Sequence, residues 1–166
     1  MKILIVSTLF LAFLDVSAQE IINIKMRSLS KPIIKAEING KKGLFLVDTG
    51  SSISIINTSS LTYYHLKEVG ANEQHRKAVG FSGKRAFIKR IKNVRVILEG
   101  NFDYTEFYSI KLDPIVESIE METNLKIAGI IGTDILRKYD GIINYKKRSI
   151  ILRNNKIKKN FIEKAY

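Results

Sequence analysis

The chain of 166 residues contains no cysteine and no tryptophan. Without cysteine there is no disulfide, no thiol nucleophile and no thiolate metal site, and either a reducing or an oxidising compartment would tolerate the protein. Histidine is scarce too. His65 and His75 have no third ligand at a workable spacing, so they read as surface residues, and no metal or cofactor is expected. Acidic residues number 16 against 28 Lys and Arg, a net charge of +12. The surplus is spread along the chain, with one modest cluster in "YKKRSIILRNNKIKKN". Zinc-finger spacing, aromatic RNA-binding signatures and recognition-helix patterns are all missing, so the charge reads as a solvated basic surface and no nucleic-acid partner is expected. Ser82 in "GFSGK" fails the spacing of a nucleophile elbow, and no glycine-rich loop could cradle a phosphate.

What is present begins with a leader. "MKILIVSTLFLAFLDVSAQE" has Lys2, an apolar stretch from Ile3 to Leu14, then Val16-Ser17-Ala18. Small residues flank a cut after Ala18 as in a secretory signal peptide. The apolar stretch falls short of the roughly 20 residues a spanning helix needs. Residues 1–18 are therefore expected to be removed on export, periplasmic or secreted, with membrane association only if the leader is uncleaved. Length and 45% hydrophobic content fit one domain with a real core.

The mature chain reads as strand-rich. Residues 19–30 suggest a strand and a connector. In "IIKAEINGKKGLFLV", Ile34, Ala36 and Ile38 alternate with Lys35 and Glu37, and Asn39-Gly40 signals a hairpin turn. A second strand is expected around Ile53 to Ile56, and Thr58-Ser59-Ser60 could cap a short helix carrying Leu61, Tyr64 and Leu66 up to Gly70. A hairpin with Gly80 to Gly83 at its tip follows, then another turning at Gly100. "DPIVESIEMET" predicts a helix, with Pro114 in its first turn and Ile115, Ile119 and Met121 as its apolar residues. "IAGIIGTDILRKYDGIINYKKRSIIL" predicts strand, a short helix N-capped by Thr133, strand, a turn at Lys146-Lys147, and strand. The residues from 153 to 166 form a basic tail.

One carboxylate stands out. Asp48 lies between the apolar runs Leu44–Val47 and Ile53–Ile56, followed by Thr49, Gly50, Ser51 and Ser52. A bare Asp-Thr-Gly is weak evidence, and it could be a simple Asx-type turn. With its apolar hairpin before it and "IAGIIGTDIL" downstream, however, the chain resembles the retropepsin-like aspartic proteases over about residues 31–152. That resemblance implies an all-β fold with short helices, a closed barrel with a flap hairpin, and hydrolysis of peptide or protein substrates. It makes Asp48 the catalytic carboxylate, Thr49, Gly50 and Ser51 its supporting loop, Ile130, Ile131 and Gly132 the strand beside that loop, and Gly80, Phe81, Ser82 and Gly83 the flap. Retroviral members usually have Ala where Ser51 stands.

Such chemistry needs two carboxylates close enough that the pair holds one proton, one acting as base and the other as acid. The chain has a single Asp-Thr-Gly. Asp134 follows Thr133 at a helix start and reads as structural, and Asp140 precedes Gly141 as a turn residue. The second carboxylate is thus expected from Asp48 of another copy in a homodimer, with Thr49 bonding across the axis and chain termini able to interleave. Two rivals are a silent peptide-binding module of the same fold and an exported basic protein that binds anionic surfaces.

Overall fold

The computed structural model describes residues 20–69, 76–79 and 85–154. The leader, the flap tip at Gly80 to Gly83, His75, Gly70 and residues 155–166 lie outside the described residues. Strand β1 (Glu20–Lys25) leads through a short connector to the hairpin of β2 (Ile33–Ile38) and β3 (Lys41–Val47). Its turn is the predicted Asn39-Gly40, with φ of 48° and 82°, a left-handed pair that glycine and asparagine adopt at least cost. After β4 (Ile55–Asn57) come β5 (Arg76–Val79), β6 (Arg85–Leu98) and β7 (Asn101–Ile110), then helix α1 (Asp113–Thr123). The chain ends with β8 (Gly129–Ile131), helix α2 (Thr133–Lys138), β9 (Ile142–Asn144) and β10 (Ser149–Asn154).

Strands run in the order β2-β3-β8-β4-β7-β6-β5, and β2 also pairs with β6, so the sheet closes into a barrel. The closing seam is short: Glu37 faces Ile97 and Ile38 faces Val96. Asn39 extends it, its N–H donating to the Arg95 carbonyl at 3.0 Å and its side-chain oxygen accepting from the Arg95 N–H at 3.0 Å. A separate sheet, β1-β10-β9, covers one side of the barrel. The strands nearest the two ends of the described chain, β1 and β10, therefore pair with each other inside one protomer.

The burial pattern explains why Leu44–Val47 and Ile127–Ile131 are apolar throughout. Phe45, Val47 and Ile131 point into the main core with Ile34, Ile56 and Phe107. Leu44, Leu46 and Ile130 point the other way, into a second core beneath α1 that holds Ile33, Val116 and Ile119. Strands covered on both faces lose the polar alternation of a half-exposed sheet. Helix α1 buries Val116 and Ile119, whereas Ile115 and Met121, expected on its apolar side, are 45% and 84% exposed. A clamp fixes its start. The buried Asn57 side chain accepts from the Leu112 N–H at 2.9 Å and donates to Asp113 Oδ1 at 2.9 Å.

The helix expected from Thr58 towards Gly70 is shorter than predicted. Thr58–Ser60 form one 3-10 turn, and His65, at φ 53°, stops the turns that follow before a second helical turn can form. Ser59 sends its hydroxyl to Asp113 at 3.2 Å and caps nothing. Tyr64 and Leu66 are buried as expected.

β8 lies between β3 and β4, parallel to the first and antiparallel to the second. Gly129 lets it fit, because a Cβ there would strike the Ile55 carbonyl oxygen, with Ile56 Cα only 3.2 Å away. Backbone cannot swing aside as a flexible side chain can. Gly129→Ala should therefore cost about 2–4 kcal/mol in urea unfolding, at or above the usual range for overpacking. Gly40→Ala, strained by its positive φ with no atom within 4 Å of the added carbon, should cost about 1 kcal/mol. The reverse ranking would contradict this packing.

Candidate active site

Asp48 stands where β3 runs out, and the strand beside it fixes its backbone. Val47 is opposite Ile131 in the parallel ladder, and the Asp48 N–H donates to the Ile131 carbonyl at 3.0 Å. The loop then folds back on its own carboxylate. The Gly50 N–H donates to Asp48 Oδ1 at 2.8 Å, and the Ser51 N–H reaches the Asp48 carbonyl at 3.2 Å. Oδ2 has no hydrogen-bond partner among the described residues. Asp48 is half-buried while Thr49 and Gly50 are exposed. One oxygen is thus oriented by the loop and the other is free for a reacting group.

Ser51 anchors the far side of the loop. Its hydroxyl donates to the Ile53 carbonyl at 2.7 Å, and its own carbonyl accepts the Thr133 N–H at 2.8 Å and the Thr133 hydroxyl at 3.2 Å. Gly132 makes this approach feasible: a Cβ there would strike the Ile53 carbonyl oxygen and come within 3.0 Å of the Ser51 carbonyl oxygen. Ile130, Ile131 and Gly132 therefore run beside the Asp48 loop. Thr133 does not cap α2. Gly132 occupies the N-cap position without a side chain, and the Thr133 hydroxyl is engaged by the loop.

Asp134 is structural, though through more than the helix dipole. Its Oδ2 accepts the Ser54 N–H at 2.7 Å, and its Oδ1 accepts the Ser54 hydroxyl at 2.7 Å and the Ile135 N–H at 2.8 Å. Ser54 is fully buried, and its hydroxyl oxygen also accepts the Gly132 N–H at 3.0 Å. Sequence reasoning missed Ser54, because a serine eighty positions from its partner has no local signature. Asp140 bonds Arg153 at 2.6 Å. Both of these carboxylates are thus bonded to residues outside the Asp48 loop. The flap residues Gly80, Phe81, Ser82 and Gly83 lie outside the described residues, as said above, and the exposed His65 takes no part in the loop.

Beside the loop runs an open groove of about 380 Å³ lined by Thr49, Thr133, Leu136, Arg137, Asp140 and Gly141. It leads towards β9, which among the described residues is an edge strand paired with β10 alone. No group of three or more His, Cys, Asp or Glu that could hold a metal exists among the described residues.

Residues 34–135 match the family model described as aspartyl protease. Among solved structures, the EIAV protease complexed with the inhibitor HBY-793 is 20% identical, with a TM-score of 0.46, covering 64% of this chain and 86% of that one. The retroviral protease-like domain of Ddi1 from Leishmania major is 20% identical, with a TM-score of 0.49, covering 74% and 87%. No curated protein matches the chain.

The Ser54–Asp134 pair gives a direct test. Asp134→Asn would keep one acceptor oxygen and set an amide donor in place of the other, facing either the Ser54 N–H or its hydroxyl. It should cost about 2–3 kcal/mol in urea unfolding, the usual penalty for leaving buried donors unmatched. A carboxylate acting only on the helix dipole would cost about 0.3–1 kcal/mol. A loss in that lower range would show that the pair to Ser54 is energetically idle.

Proposed function

The chain belongs to the aspartyl protease family, and from that premise we propose that it is an aspartic endopeptidase whose active site is completed by a second copy of itself. The observation that carries this reading is the state of Asp48: one oxygen held by the Gly50 N–H, the other without a partner among the described residues, and Asp134 and Asp140 both bonded elsewhere. Two such loops meeting at a two-fold axis would place one Asp48 against the other. Two carboxylates so placed resist joint ionisation, so the pair would hold one proton between them. The ionised member takes a proton from a water as its oxygen attacks the peptide carbonyl. The protonated member delivers its proton to the leaving nitrogen as the C–N bond breaks.

Several features support a dimer at this face. Thr49 and Gly50 are exposed in the single chain, and β9 is the edge of its sheet among the described residues, with Ile142 38% exposed. Because β1 and β10 are already paired within the protomer, the interleaving of termini that the resemblance implied would fall to β9 or to residues outside those described. An isologous interface brings each feature to its own copy.

The test is turnover of a mixed peptide library by the purified mature protein. Asp48→Asn, which nearly conserves volume, should reduce hydrolysis at least about hundredfold, and excess Asp48→Asn mixed with wild type should poison activity by forming mixed dimers. Residual turnover at a tenth of wild type or more, or an active monomer in sedimentation, would sink the shared-carboxylate mechanism. Peptide binding without cleavage by the wild type would point instead to a silent module of the same fold.

We further propose that the protein is exported, on the strength of the leader and its Val16-Ser17-Ala18 site. Mass spectrometry of the native protein should find Gln19 as the first residue. Intact Met1 in a membrane fraction would replace this with an uncleaved anchor.

A further inference from the structure

Residues 21–36 and 141–154 contain no Asp or Glu, although both are rich in Lys and Arg. The fold brings these two stretches together, because β1 pairs with β10 along its whole length. At one end of that sheet Lys25 lies opposite Ser149, and the Met26 N–H donates to the Arg148 carbonyl at 2.9 Å. Lys25, Arg27, Lys146, Lys147 and Arg148 are therefore gathered at a single end, all exposed. Nearby cations do have partners: Lys31 bonds Glu122 at 2.8 Å and Arg153 bonds Asp140 at 2.6 Å. The five at the sheet end have no ion pair among the described residues. Arg27 also lines a groove that contains Glu37 and Glu99, so its charge is partly offset. The remaining four have no carboxylate partner among the described residues.

Two exposed apolar groups accompany this charge. Tyr145 is 60% exposed in the tight turn between β9 and β10, and Leu29 is 79% exposed in the connector after β1. Both turns are held. The Arg148 N–H donates to the Tyr145 carbonyl at 3.1 Å, and the Lys147 N–H donates to Asn144 Oδ1 at 2.8 Å. In the connector the Ser28 hydroxyl oxygen accepts from the N–H groups of Ser30 and Lys31, at 3.2 and 3.3 Å. Leu29 sits at the tip of a loop held by these bonds and by the contacts of Ser30 and Lys31 with Glu122.

We infer that this end of the β1-β10-β9 sheet is a docking surface for an anionic phospholipid membrane. Lysines and arginines without counter-ions are attracted to the negative surface potential of such a membrane. Tyrosine settles at headgroup depth, and a leucine on an ordered loop can enter the acyl boundary beneath it. A soluble polyanion would satisfy the charges equally well but would give Leu29 nothing to bury against. The leucine is what selects lipid. Docking of this kind is independent of cleavage chemistry, and it would hold a peptide hydrolase at a membrane surface with no spanning helix.

The experiment is co-sedimentation of the purified mature protein, without its apolar leader, with vesicles of phosphatidylglycerol and phosphatidylcholine in equal parts, against phosphatidylcholine alone. Binding is expected only to the anionic vesicles, and it should weaken as salt rises from about 0.1 M to about 1 M, where the Debye length falls from about 10 Å to about 3 Å. Lys146→Glu with Lys147→Glu should weaken it at least about tenfold, since each cation near such a surface contributes about fivefold. Leu29→Ser with Tyr145→Ser should weaken it at least about threefold and leave the salt dependence unchanged. All four positions are exposed, and an unchanged thermal unfolding midpoint will confirm that the variants fold. Asp48→Asn should bind as wild type does, which separates this result from any failure of the protease reading. Absence of vesicle binding, or binding that Lys146→Glu with Lys147→Glu leaves intact, would overturn the inference. So would heparin binding as tight as vesicle binding together with no effect of Leu29→Ser and Tyr145→Ser, because that pattern belongs to a polymer.

Discussion

The hydrogen bond from the Asp48 N–H to the Ile131 carbonyl is the constraint on which the rest of this architecture turns. It is the last rung of the parallel ladder between β3 and β8, two strands separated in sequence by most of the barrel. Every other feature of the loop presupposes it. Gly132 is small because the next residue of that strand passes against the loop's carbonyls, and Thr133 bonds Ser51 because the strand has carried it there. The Ser54–Asp134 pair then locks α2 to the loop's exit. The two apolar cores on either side of β3 and β8 keep those rungs out of water, where hydrogen bonds exchange little for solvent.

What the amino-acid order reveals is what is local. The Asn39-Gly40 and Gly100 turns, the α1 helix and the alternation in β2 all depend on neighbours within a few residues, and each lies where its pattern places it. The Asp-Thr-Gly loop and the Ile-Ile-Gly strand were legible as a pair only through resemblance. Nothing in either segment says that β3 and β8 run parallel and adjacent.

The capping errors share one cause. Thr58-Ser59-Ser60 has the composition of a helix cap, yet Ser59 is drawn to Asp113 and Asn57 to both Leu112 and Asp113, contacts more than fifty residues away. Thr133 likewise has the right chemistry for an N-cap and spends it on Ser51. In each case a hydroxyl or amide that could have served its own segment serves a distant one. Ile115 and Met121 fail differently: they fall at apolar spacings, but α1 presents the face of Val116 and Ile119 to the barrel.

The seam that closes the barrel has two paired positions between β2 and β6, and beyond them the bonds to Arg95 come from Asn39. That same residue forms the tight turn of the β2-β3 hairpin. A turn of this kind is among the quickest pieces of structure to form, because its ends are already close in the chain. The latch of the barrel thus belongs to a piece of structure held by near neighbours in the chain, and the cylinder is closed by one strand set against that local edge.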